Sequence, residues 1–214
     1  MDTLLVATEA LRRRDPDLGA IVEQHGRPPL WSRPPGFATL LHIILEQQVS
    51  LASARAVVER LLARIGPPTP AAFLTLGDAD LLAAGFSRQK ARYGRLLAGA
   101  IDDGSFDLDG IASLPDDAAR SALLAQTGIG PWTADIYLLM ALGRPDVWPD
   151  GDLALLSSLA AVKSLPARPR VDEARRIAGS WRPWRSVAAR LLWHDYLARR
   201  ARREPPATAP RAGP

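Results

Sequence analysis

Apolar positions along the chain recur at three- and four-residue spacing and nowhere alternate residue by residue between hairpin turns, so every predicted element is a helix. Leu40, Leu41, Ile44 and Leu45 form one stripe, which runs into the polar triplet Glu46-Gln47-Gln48. Ser50 then offers an N-cap hydroxyl to a second helix, whose stripe is Leu51, Ala54, Val57, Val58, Leu61, Leu62 and Ile65. Gly66-Pro67-Pro68 stops it. Short pieces follow over Ala71–Leu76 and Ala79–Ala84, and a longer helix runs from Arg88 to Ala100 behind Gly85-Phe86-Ser87. After the turn at Asp102-Asp103-Gly104 come Asp116–Ala125, then Trp132–Leu142 closed by Gly143. Asp152–Val162, Asp172–Gly179 and Pro183–Arg203 complete the set. The fold class is all-α. The Pro- and Ala-rich end, Glu204–Pro214, has little apolar surface to bury and is expected to be disordered.

An apolar fraction of 47% over 214 residues is enough for one compact domain or two small lobes. Cysteine is absent, which removes disulfides, thiolate nucleophiles, Cys-ligated zinc and iron–sulfur clusters together. His25, His42 and His194 show no metal-ligand spacing and read as structural. No segment approaches the ~20 apolar residues of a membrane span, and Met1–Ala10 has no apolar run like that of a signal peptide. A cytoplasmic location is therefore expected. Of 27 basic residues, two are lysines (Lys90 and Lys163) and the other 25 are arginines. That bias, with a pI of about 10.1, suits a polyanionic partner, because guanidinium forks match phosphate oxygens. A GC-rich genome produces the same bias, so composition leaves both readings open.

The most informative stretch is Leu123–Asp152. One helix ends, Thr127-Gly128-Ile129-Gly130 makes a tight turn, and Pro131 opens the next helix at the position where proline is best tolerated. The N–H groups of such a turn point outward at a helix N-terminus, an anion site suited to a DNA phosphate and blind to sequence. Taken alone, the turn is weak evidence, because most such turns are merely helix connectors. Twenty residues beyond Trp132 lies Asp152, in Pro149-Asp150-Gly151-Asp152. Locally it reads either as a reactive carboxylate or as an ordinary N-cap for the helix after it.

This stretch resembles the helix-hairpin-helix (HhH-GPD) DNA glycosylase superfamily, in its 3-methyladenine DNA glycosylase II branch. The family hairpin reads roughly L-x-x-x-P-G-I-G-x-W-T-A and is followed about twenty residues on by a catalytic aspartate, which aligns with Asp152 rather than Asp150. Thr127 stands where proline is usual. The resemblance continues in Ile44-Leu45-Glu46-Gln47-Gln48-Val49-Ser50, in Gly85-Phe86-Ser87-Arg88-Gln89-Lys90-Ala91 and in Trp181-Arg182-Pro183-Trp184-Arg185-Ser186, covering roughly residues 37–196. Each has a plain structural alternative: a polar helix end at Gln48, a solvated helix start at Arg88–Ala91, a core aromatic at Trp184.

The resemblance implies a two-lobed helical fold with its active-site cleft between the lobes and no additional N-terminal β domain, since only about 36 residues precede the matching region. Residues 1–36 are expected to be a helical segment packing with the C-terminal helices, Asp15–Pro35 as short helices on the last one; residues 37–203 are the glycosylase core with its hairpin at 123–142. It further implies a monomer that binds double-stranded DNA carrying alkylated bases and is associated with the nucleoid. Asp152 is the catalytic carboxylate; Trp132, Ile136 and Trp193 line the base pocket; Gln48 is the wedge; Gly128, Gly130, Thr133 and Ser50 hold the DNA backbone. Ile136 stands where family members carry an aromatic, with Tyr137 next along. No cofactor is required for the chemistry. A sodium or potassium ion is possible on the carbonyls of Leu124, Gln126 and Ile129. In bifunctional relatives a lysine occupies the position of Trp132, so this chain is expected to hydrolyse the N-glycosidic bond without cutting the strand. The alternatives are a glycosylase for oxidised or deaminated purines, a non-catalytic hairpin module that only grips DNA, and a helical scaffold for protein partners.

Overall fold

The computed structural model describes residues 3–203, so the expected disorder of Glu204–Pro214 lies outside the described residues. Among the described residues there are twelve α-helices, one short 3-10 turn at Gly110–Ser113, and no strand. The helices are α1 (Thr3–Arg14), α2 (Pro16–His25), α3 (Phe37–Glu46), α4 (Leu51–Ile65), α5 (Pro70–Leu74), α6 (Asp78–Ala84), α7 (Arg88–Asp102), α8 (Asp116–Leu124), α9 (Pro131–Met140), α10 (Leu153–Val162), α11 (Val171–Gly179) and α12 (Arg185–Arg203). They divide into two compact units. One runs from Trp31 to Asp150; the other joins the residues up to Leu30 with those from Gly151 onward.

In the Trp31–Asp150 unit the two most apolar helices, α3 and α9, form the centre. Thr133–Leu139 of α9 is buried throughout, and only Ala38 and His42 of α3 reach the surface. α3 packs on α4, α7 and α9, and α7 packs on α5. Phe37, Phe73 and Phe86 meet there with ring centroids 5.7 and 5.8 Å apart, an arrangement aromatic pairs favour. Gly94 on α7 makes room for it, because a Cβ there would lie 2.8 Å from the Phe73 ring. The segment before α3 is tied down by Arg33 N–H to Met140 O and Gly36 N–H to Tyr137 Oη, both 2.9 Å.

In the other unit α12 is central, burying Val187, Ala188, Ala189, Leu191 and Leu192 against α1, α2, α10 and α11. Asp15 is its main polar joint. It caps α2 through Asp17 N–H, accepts Lys163 Nζ at 2.7 and 2.8 Å, and accepts the indole N–H of fully buried Trp181 at 2.7 Å. Burial pushes the Asp15 carboxyl up, but these donors outweigh it and hold it below the usual carboxylate value.

Three expectations need adjustment. Of Asp15–Pro35 only Pro16–His25 is helical and packs on α12; beyond it, Pro28-Pro29 and Pro34-Pro35 remove N–H donors and bar αR from the residues before them. α9 stops at Met140, because the N–H groups of Ala141 and Leu142 both turn onto Tyr137 O before Gly143 at φ 64°. α12 begins at Arg185 and not at Pro183, which lies in a turn closed by Trp184 N–H to Trp181 O.

Candidate functional site

The hairpin forms as its glycines require, but the two glycines do different things. Gly128 sits at φ 93°, and a Cβ there would fall 2.4 Å from Cγ of Tyr93 on α7. Gly130 has φ −90° and open space where a Cβ would go. As N-cap of α9 it brings no side chain to the first-turn N–H groups, and the first helical bond is Ala134 N–H to Gly130 O at 3.0 Å. The fold demands glycine at 128 and does not demand it at 130. Ile129 is buried beneath the turn and its N–H donates to Gln126 O at 3.1 Å.

The Glu-Gln-Gln triplet that ends α3 sends its three side chains to three places. Glu46 is buried and takes both arms of Arg33, at 2.8 and 3.1 Å. Gln47 Nε2 donates to Gly128 O at 2.9 Å and to Thr133 Oγ1 at 2.8 Å, which joins the α3–α4 loop to the hairpin. Gln48 is exposed at φ 57°, followed by exposed Val49, Ser50 and Leu51. Ser50 caps α4 by accepting Ser53 N–H at 3.1 Å.

Trp132 is half-buried in the first turn of α9, and Ile136, one turn on, is 2% exposed. Thr133 is 1% exposed with its hydroxyl engaged by Gln47, so the contact with the DNA backbone expected of this residue is left to its N–H, which belongs to the first-turn set. Lys90 departs from the solvated helix start expected of its segment: it is half-buried, its Nζ donates to Leu45 O and Gln47 O at 2.7 and 2.8 Å, and burial lowers its pKa. Asp135, which sequence reasoning passed over, is 1% exposed and held by Arg120 at 2.7 and 3.3 Å. Burial raises its pKa, against Arg120 and the Asp150 backbone N–H, which lower it. An aspartate amid the apolar run of α9 was the available signal, since a buried charge needs a partner.

In the other unit Asp152 is the N-cap of α10, accepting Leu155 N–H at 2.9 Å, so the capping half of its sequence reading is met. The same oxygen, Oδ1, also accepts Trp193 Nε1–H at 3.2 Å. Trp193 is 8% exposed, and its indole fixes the carboxylate from α12. A simple cap needs one donor from its own helix; here a second donor from another helix anchors the same oxygen.

The HhH-GPD superfamily model of base excision DNA repair proteins matches residues 41–183. A Mycobacterium tuberculosis protein named "Probable bifunctional transcriptional activator/DNA repair enzyme AlkA" is 35% identical over 89% of the chain and 42% of its own length. DNA-3-methyladenine glycosylase 2 of Escherichia coli is 29% identical over 71% of the chain and 54% of its own length. The chain thus spans about half the length of these two relatives. The Schizosaccharomyces pombe 3-methyladenine DNA glycosylase in complex with abasic DNA superposes with a TM-score of 0.81 at 25% identity, covering 87% of this chain and 94% of that one. The chain belongs to the HhH-GPD superfamily of base excision DNA repair proteins.

Proposed function

We propose that the protein is a monofunctional DNA glycosylase that excises alkylated purines from duplex DNA and leaves an abasic site. The observation that carries this reading is Asp152, an aspartate held by two N–H donors from two helices at the position where the family places its catalytic carboxylate.

An N3- or N7-alkylated purine is cationic, so its glycosidic bond is already weakened. The bond breaks with its electron pair passing to the base, which departs neutral. Positive charge builds at C1′ and the ring oxygen, where a fixed carboxylate stabilises it and orients the water that adds to C1′, the proton shed by that water passing to the carboxylate and on to solvent. Trp132 offers an indole face to the cationic base, a contact worth about 2 kcal/mol when desolvated, with Ile136 one turn below it. Trp193 acts on Asp152 as a positioning residue and presents little face of its own. Gln48 fills the space left by the flipped nucleotide. The N–H groups at Gly130 and in the first turn of α9 hold a DNA phosphate, and the backbone at Gly128 and Ser50 flanks it.

Absence of strand cleavage rests on two points. Trp132 has no amine to attack C1′. Both lysines of the chain are tied elsewhere, Lys90 to two carbonyls and Lys163 to Asp15 and Asp17. A monovalent cation on the carbonyls of Leu124, Gln126 and Ile129 fits this turn, because the Ile129 N–H occupies one of two lone pairs on Gln126 O. Its part would be to fix the turn, not to enter the reaction.

The test is base release from methylated duplex DNA by wild type and by Asp152→Asn, with strands scored before and after alkali. Asparagine still caps a helix and still accepts both N–H groups, so the variant keeps its fold. Release by wild type, its loss in the variant, and breaks only after alkali are expected. DNA binding without release in either protein would leave a non-catalytic hairpin module.

A further inference from the structure

We infer that Gln47 and Lys90 are positioning residues that hold Gln48 in its left-handed conformation and lock the wedge to the hairpin, so that the grip on the phosphate sets how deeply the wedge enters. The inference rests on the wedge reading of Gln48 given above and assigns roles to two residues that do not reach the DNA themselves.

A non-glycine residue at φ 57° is strained and persists only where its surroundings dictate it. Gln48 is exposed and sits in a four-residue connection, residues 47–50, so its own contacts do not supply that constraint. The residues beside it do. Lys90 places its ammonium on Leu45 O and Gln47 O at the C-terminus of α3, where carbonyls lack helical partners and a cation is favoured. This fixes the backbone immediately before Gln48. Gln47 then uses both N–H bonds of its amide across the chain, one to Gly128 O in the hairpin turn and one to buried Thr133 on α9. Gly128 is itself packed on Tyr93 of α7, the helix that carries Lys90. Wedge loop, hairpin and α7 therefore form a closed circuit of contacts within one unit, and a displacement of the wedge must break at least one of them.

The chemistry of Gln47 is specific. A glutamate of the same shape has no donor and would set a negative charge against Gly128 O, so Gln47→Glu breaks the bond to the hairpin carbonyl with little change in volume; only the Thr133 hydroxyl can turn to donate to it. Lys90→Met removes the ammonium and keeps the stem. The experiment measures fluorescence of a 2-aminopurine placed beside a flippable abasic analogue in duplex DNA, with melting temperature and affinity for undamaged duplex as controls. This readout needs no base release. Expected are near-native melting and undamaged-duplex affinity, with the flipping signal reduced about tenfold in each variant, as for Gln48→Ala. Combining Gln47→Glu with Gln48→Ala should add little to Gln48→Ala alone, because residues acting through one another are non-additive. If Gln47→Glu melts early, Lys90→Met carries the same comparison. Multiplying losses in the double variant, or full flipping by Gln47→Glu, overturns the brace. A wild type that flips yet releases no base refutes the glycosylase reading and leaves the brace standing. A wild type that does not flip removes the wedge and the brace together.

Discussion

Glycine-to-alanine exchange at positions 128 and 130 adds the same methyl group two residues apart and should give opposite outcomes for folding. At 128 the backbone lies at φ 93°, well outside what alanine prefers, at a cost of about 1–2 kcal/mol. The new methyl also falls 2.4 Å from Cγ and 2.7 Å from Cβ of Tyr93, whose hydroxyl is bonded to Gln89, so the ring cannot swing aside without losing that bond. Overpacking of this kind adds about 1–3 kcal/mol. The sum, about 2–5 kcal/mol, corresponds to roughly 5–15 °C in melting temperature for a chain of this size. At 130 the backbone has φ −90° and the methyl meets nothing within 4 Å. Reduced unfolded-state entropy favours alanine by about 0.4–1 kcal/mol, and its poorer N-cap character costs a similar amount, so stability should change by less than about 1 kcal/mol. The same methyl stands where a phosphate must approach the first-turn N–H groups, and losing charge-assisted bonds there should weaken DNA binding about tenfold or more. Circular dichroism melts and anisotropy titration with an abasic-analogue duplex measure both quantities. Gly130→Asp sharpens the contrast, since it caps α9 better yet repels the anion. Native DNA affinity in Gly130→Ala would refute the phosphate site at this turn, and an unchanged melt in Gly128→Ala would refute the steric argument.

Trp193→Phe keeps an aromatic in place but removes the donor to Asp152 Oδ1; single-turnover base release should fall about tenfold or more with binding of abasic-analogue DNA unchanged, and an unaltered rate would deny Trp193 its positioning role. Asp15→Asn should cost about 1–3 kcal/mol at pH 7 by urea denaturation, because it discharges the partner of Lys163. The sign of its pH dependence follows from Asp15 being held below its ordinary value: the stability it contributes is present above about pH 4 and is lost as pH falls through the folded value, so the gap between wild type and variant should narrow as the solution is acidified below about pH 4. A gap that stays constant with pH would mean that the charge contributes nothing.

The sequence by itself determined what is local. Helix stripes, the caps at Ser50 and Asp152 and the hairpin turn lie in spacings of a few residues, where backbone geometry dictates the pattern; the order wedge, hairpin, aspartate came through the family resemblance. Absent cysteines narrowed the chemistry in the same direct way, and Trp132 in place of a lysine did so through the resemblance. Tertiary structure decided how those pieces are fastened. Gln47 meets Thr133 across 86 positions, Lys90 meets Leu45 across 45, and Trp193 meets Asp152 across 41. No periodicity encodes such pairs, because a side-chain donor finds its acceptor only after two helices have packed. For the same reason the sequence treated Gly128 and Gly130 alike and assigned Thr133 to DNA without distinguishing its N–H from its hydroxyl. What separates the two glycines is the ring of Tyr93, and what occupies Thr133 is the amide of Gln47; both come from elements that are distant along the chain and adjacent only in the folded molecule.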